Sequence, residues 1–189
     1  MTLTLNPGHV SLATLQTLYR GDDDFVIAPD AMQAVVDGAD RLVKRMQHGD
    51  AIYGVNTGFG KLASVRINDG DLADLQRNLV RSHSAGFGEP LPMPVVRLTM
   101  ALKCISRGRG ASGVRPRVID VLQDCVAAGV MPVIPAQGSV GASGDLAPLA
   151  HMASTLIGEG DAFFDGTRMP ARDALQRAGI KPLSLQAKE

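Results

Sequence analysis

Three segments bring together residue types that could do chemistry. Residues 138–149, Gly-Ser-Val-Gly-Ala-Ser-Gly-Asp-Leu-Ala-Pro-Leu, set Ser143 between two small residues and ahead of Asp145. A serine among glycines suggests a nucleophile elbow, but Asp145 stands where that elbow needs its second glycine. Residues 53–60, Tyr-Gly-Val-Asn-Thr-Gly-Phe-Gly, hold a phenol in a backbone that three glycines allow to turn tightly. A free tyrosine has a pKa of about 10, so Tyr53 acts as a base only with electrostatic help from its site. Residues 78–88, Asn-Leu-Val-Arg-Ser-His-Ser-Ala-Gly-Phe-Gly, put His83 on an apolar helix face. Taken alone, Tyr53 and His83 both fit a core role with satisfied polar atoms.

Other motifs exclude more than they suggest. Gly108-Arg-Gly-Ala-Ser-Gly113 matches G-x-G-x-x-G, and Gly58-Phe-Gly-Lys-Leu-Ala63 matches its looser form. A dinucleotide fingerprint needs a preceding strand, whereas the pattern before Gly108 is helical, so a dinucleotide-binding module is a remote alternative. Phosphate-loop spacing is absent. Cys104 and Cys125 lack zinc-knuckle spacing and read as buried thiols, and no metal site is expected.

The elements that must position these residues are mostly helical. Ser11 caps a short helix carrying Leu12, Leu15 and Leu18. Pro29 opens a longer one with Met32, Val35, Val36, Ala39, Val43 and Met46 on one stripe, ended by Gly49. Residues 50–60 read as a short strand running into a glycine-hinged loop. A helix from about Asp71 to His83 aligns Leu72, Leu75, Leu79 and His83. Another, from about Pro94 to Arg107, aligns Val95, Leu98, Leu102 and Ile105. The next starts at Pro116, carries Val118, Val121, Leu122 and Cys125, and stops at Gly129. Residues 131–144 are too rich in Pro and Gly for a regular helix. A helix resumes near Leu146 with Asp145 as its cap. Residues 160–170 suggest a small turn or hairpin and 171–178 a last short helix.

The segment 138–149 resembles the signature of the aromatic amino-acid ammonia-lyases, which are MIO-dependent. The resemblance spans roughly residues 6–189. It implies that Ala142-Ser143-Gly144 cyclises into a 4-methylidene-imidazol-5-one (MIO). The Gly144 amide nitrogen closes onto the Ala142 carbonyl carbon, the Ser143 hydroxyl is eliminated, and two waters leave. The residue types suit this: Gly144 has no Cβ to obstruct the bent backbone, and Ala142 is small. A helix N-terminus just beyond would favour negative charge developing on the ring oxygen. A second triplet, Ala111-Ser112-Gly113, lacks the flanking residues, and no cyclisation is assigned to it.

The same resemblance assigns the other segments. Tyr53 matches the base that removes the substrate β-proton, and His83 matches the position that selects the substrate side chain. Asp145 and Gly60 support the two loops. A histidine at position 83 suits a polar ring, and Arg81-Ser-His-Ser-Ala-Gly86 is worded closer to the histidine-specific branch than to the tyrosine-specific one. The implied reaction is deamination of L-histidine to trans-urocanate and ammonia, the first step of histidine degradation. The substrate amine or its ring attacks the methylidene. No NAD or PLP is needed. A tyrosine ammonia-lyase or aminomutase using the same group is the alternative.

The implied fold is mainly α, the N-terminal part of the ammonia-lyase (aspartase/fumarase-like) helical fold with a few short strands. It divides into an N-terminal globular region, 1–112, and the start of the helical domain, 113–189. Family members are longer homotetramers with shared active sites, so the 189-residue piece is expected to be inactive alone. Nineteen acidic and nineteen basic residues give no net charge, and Trp is absent. Nucleic acid is therefore not an expected partner, nor is a membrane, and a cytoplasmic protein is the expectation.

Overall fold

In the computed structural model, which describes residues 1–142 and 144–189, helix starts and stops follow the residues that specify them. The Ser11 hydroxyl accepts from the Thr14 amide at 3.1 Å and opens α1 (Leu12–Arg20), which ends on left-handed Gly21. Pro29 begins α2 (Pro29–Gln47). A parallel pair, β1 (Thr2–Leu5) before α1 and β2 (Asp24–Ile27) after it, places Leu5, Phe25 and Ile27 in the core. Thr2-Leu-Thr-Leu5 alternates, but strands this short and separated by a helix do not reveal their pairing in the sequence.

Next come α3 (Leu72–His83), β3 (Phe87–Pro90), α4 (Met93–Arg107) and α5 (Pro116–Ala128). Left-handed Gly129 terminates α5. The buried stripe of α4 is Val96, Met100 and Cys104, whereas Leu102 is 44% exposed. The expected stripe through Val95, Leu98, Leu102 and Ile105 thus lies on nearly the opposite face of the helix from the buried one. This helix is apolar nearly all round, so periodicity does not say which face meets the core.

The proline- and glycine-rich stretch forms short strands: β4 (Met131–Pro132), β5 (Pro135–Gln137), β6 (Val140–Gly141) and β7 (Gly144–Asp145). After α6 (Ala147–Leu156), β8 (Asp161–Phe164) and β9 (Thr167–Pro170) make a hairpin, and α7 (Ala171–Arg177) follows. Asp165 and Gly166 turn that hairpin at φ 50° and 71°, as a two-residue connection requires. The core lies among α4, α5, α6 and α7 and takes in both cysteines, fully buried as expected; burial raises the Cys125 thiol to about 12. Among the described residues, no helix is long and apolar enough to cross a membrane.

The G-x-G-x-x-G match has a packing explanation. It follows α4, not a strand. A Cβ on Gly38 of α2 would lie 2.2 Å from the Gly110 carbonyl oxygen, and one on Gly110 would lie 2.5 Å from the Ala34 oxygen. These glycines let a loop lie directly on a helix.

Candidate active site

The Ala142-Ser143-Gly144 segment belongs to a small hairpin. Strands β6 and β7 pair Val140 with Asp145 and Gly141 with Gly144, and Ala142 stands in the turn after Gly141. Ser143 lies outside the described residues. Gly144 has φ 96°, a conformation side-chain-bearing residues rarely adopt, and a Cβ there would meet nothing within 4 Å. At the second triplet a Cβ on Gly113 would strike Leu42 Cδ2 at 2.8 Å. Gly144 therefore has room around it, whereas Gly113 is held against α2. That room, with Ala142 exposed in a turn, fits the ring that the residue types suggest.

Asp145 joins the hairpin to the helix behind it. Its Oδ1 accepts from the Ala147 amide at 3.1 Å and satisfies the first turn of α6. The N-cap position is Leu146 and not Asp145 as expected, and the Asp145 carboxylate instead reaches the first helical amide from one residue further back. The same carboxylate lies against Gly138, where a Cβ would be 2.2 Å from Oδ1.

His83 ends α3, half-buried. Its Nδ1 lies 2.8 Å from the Leu79 carbonyl oxygen, which can only accept, so Nδ1 carries the proton. Nε2 is then the nitrogen with which this ring can meet a ligand. A cavity of about 320 Å³ brings His83 together with Leu146, Leu149 and Ala150, at the end of α6 that follows the hairpin. Its walls are mostly apolar. Lys103 and Arg107 also line it, and burial lowers the pKa of both.

Tyr53 sits in a different depression. The expected strand at the start of this loop is replaced by turns, because the buried Asn56 side chain closes the chain on itself. Asn56 Oδ1 accepts from the Ile52 amide at 2.7 Å, and its Nδ2 donates to the Asp50 carbonyl at 2.9 Å. Gly54 and Gly60 supply positive φ values of 71° and 57°. The Tyr53 ring is 61% exposed and meets Phe59 edge-on at 5.6 Å between centroids. Its cleft is shared with Arg41, Ser112 and Lys188, and Lys188 also lines the His83 cavity. Arg41 and Lys188 are the cations of this cleft, and no carboxylate is among the described lining residues. Thus His83 and the hairpin's helix share one cavity, while Tyr53 faces a neighbouring one.

The sequence profile of the family described as aromatic amino acid lyase matches residues 10–189. The chain belongs to this family. It is 57% identical over 190 residues to a histidine ammonia-lyase of Roseobacter denitrificans, covering 100% of this chain and 37% of that protein. The crystal structure of histidine ammonia-lyase from Trypanosoma cruzi superposes with a TM-score of 0.90 at 33% identity, over 100% of this chain and 36% of that one. Tyrosine aminomutase from Streptomyces globisporus superposes with a TM-score of 0.91 at 30% identity, over 100% of this chain and 35% of that one. The mainly α lyase fold expected from the sequence is thus the one observed. The chain spans about 37% of the length of the curated relative it matches.

One contact near the cavity has no readable sequence signal. His151 of α6 accepts a hydrogen bond from the Gly86 amide at 3.0 Å. A lone histidine in an apolar helix gives no hint that its partner is a backbone amide 65 residues earlier.

Proposed function

We propose that this chain is part of a histidine ammonia-lyase that converts L-histidine to trans-urocanate and ammonia. The observation that carries the reading is His83, with Nδ1 engaged by Leu79, in a cavity walled by the helix that follows the Ala142–Gly144 hairpin. The 57% identity to a histidine ammonia-lyase supports the same substrate.

Ala142, Ser143 and Gly144 are the residues that would form the MIO, which supplies an electrophile that turns the substrate nitrogen into a leaving group. Tyr53 takes the β-proton in a cleft that Arg41 and Lys188 also line. His83 holds the substrate imidazole through Nε2. Apolar walls keep water from the ring-binding end. Asp145 fixes the hairpin to α6, and Gly60 shapes the Tyr53 loop. We place the activity in the full-length protein, acting as a cytoplasmic homotetramer without nucleic-acid or membrane partners. The 189-residue chain alone is expected to leave histidine unconverted.

A tyrosine ammonia-lyase or aminomutase is the second reading, supported by the likeness to the tyrosine aminomutase fold. Substrate assays on the full-length protein separate the two, and consumption of tyrosine but not histidine rejects the first. The electrophile is tested by the mass of the peptide spanning 136–149. We expect the loss of two waters, abolished in Ser143→Ala; an unaltered mass in active enzyme excludes the mechanism.

A further inference from the structure

We propose that His151 is a positioning residue of the lyase site: its Nε2 accepts the Gly86 amide hydrogen and fixes the segment after His83 against the strand that leads toward the Ala142–Gly144 hairpin. The inference rests on the function proposed above. His151 lies one turn into α6, whose first amide, that of Ala147, donates to the Asp145 carboxylate. The segment it holds begins directly after His83, and the hydrogen bond is 3.0 Å long.

The fit around Gly86 is tight. A Cβ there would lie 3.1 Å from His151 Nε2, 3.2 Å from its Cδ2 and 3.2 Å from the Gln137 carbonyl oxygen. The backbone at Gly86 is thus wedged between the imidazole and β5. One residue later, Phe87 of β3 pairs with Gln137 of β5. The Leu91 amide then donates to the Ile134 carbonyl at 2.8 Å. Gln137 immediately precedes Gly138, where the Asp145 carboxylate rests. His151 therefore sits where the His83 segment, the hairpin's entry strand and α6 converge. It donates nothing to Gly86, so Nε2 must keep its lone pair, and burial lowers the His151 pKa accordingly.

A second tie on the same elements makes this contact specific to the loop. Glu159, just beyond α6, accepts from Arg77 and Arg81 of α3 at 2.8 Å each. That pair of ion pairs anchors the body of α3, leaving His151 to set the course of the chain after His83.

The test uses the full-length protein and the variants His151→Leu, which removes the acceptor, and His151→Gln, whose amide oxygen can replace it. Misplacing His83 by about 1 Å predicts that H151L loses about a hundredfold in kcat/KM for L-histidine. The two-water loss across 136–149 is retained, and H151Q recovers most of the loss. Hydrogen exchange of the 84–90 peptide should quicken in H151L and not in H151Q. Wild-type kinetics in H151L, or H151Q as impaired as H151L, overturns the proposal. Should H151L fail to fold, Gly86→Ala, which pushes directly on Nε2, is expected to give the same kinetic loss, and parental kinetics in it overturns the proposal. Should the parent protein not act on histidine, the functional reading fails separately. Unchanged exchange at 84–90 in H151L (or in G86A) then still refutes the positioning contact.

Discussion

The carboxylate of Asp145 rests so close to the α-carbon of Gly138 that a Cβ there would lie 2.2 Å from Oδ1. The two residues flank the hairpin that carries the triplet, so glycine at 138 is required by an acid at 145. Gly138→Ala is expected to push the carboxylate off the Ala147 amide and release the hairpin from α6. In the full-length protein this should lower both the fraction carrying the two-water loss and the histidine activity, the latter by about a hundredfold. Normal peptide mass and turnover in the variant would show that the Asp145 contact is dispensable.

Tyr53 can be tested without disturbing its surroundings. Its ring is 61% exposed and packs on Phe59 through its edge, so removal of the hydroxyl leaves the contact intact. Tyr53→Phe should change stability by less than about 0.5 kcal/mol. As a general base, Tyr53 contributes roughly 10²–10⁴ in rate, and activity should fall by that factor. An active Y53F enzyme would remove the base assignment and leave the electrophile untouched.

What the sequence made legible was local. The hairpin at 161–170 was readable because Asp165-Gly166 suits its turn, and α5 because Pro116 and Gly129 bracket it. The triplet was readable because Gly138 to Leu149 is distinctive as a run of residues. Long-range fits were not. The β1–β2 pair joins residues across a helix, the buried face of α4 is undecided by an all-round apolar pattern, and the His151–Gly86 contact links positions 65 apart. Only the start of the Tyr53 loop, read as a short strand, differs from the structure, because nothing in its pattern reveals that Asn56 turns its side chain back on Asp50 and Ile52.

Two groups give the fold an acid sensitivity with separate windows. Burial depresses the His151 pKa below its ordinary 6.5, so the unfolded chain takes up this proton first as pH falls. The His151 contribution is complete above about pH 6.5 and is lost as pH drops toward the folded value. Hydrogen bonds from Arg81 and Arg77 depress the Glu159 pKa below its ordinary 4.5, so its contribution is present above that value and is lost on further acidification. Thermal midpoints measured against pH should therefore fall in two stages. H151Q should remove the first stage and Glu159→Gln the second. A single decline unaffected by either variant would contradict both assignments.

Asn56 is the residue on which the Tyr53 loop depends most. It is fully buried, and its side chain satisfies the Ile52 amide and the Asp50 carbonyl, while its own carbonyl accepts from the Ile67 amide at 2.9 Å. Asn56→Ala keeps the last of these bonds and removes the first two, leaving polar backbone groups without partners. Asp50 is exposed, so water can replace its bond, whereas an orphaned Ile52 amide costs about 1–3 kcal/mol; the variant should lose stability in that range or open the loop to hydrate the amide. The second route is the more informative. Loop opening would spare the helical core, whose thermal midpoint would then hardly move, while hydrogen exchange across 50–58 would quicken. It would also carry Tyr53 away from Arg41 and Lys188, so that the loss in turnover should approach that of Y53F. Asn56→Asp keeps the acceptor for Ile52 and loses the donor to Asp50, and should fall between the two. An Asn56→Ala protein with parental exchange and parental turnover would mean that the backbone, not this side chain, shapes the loop.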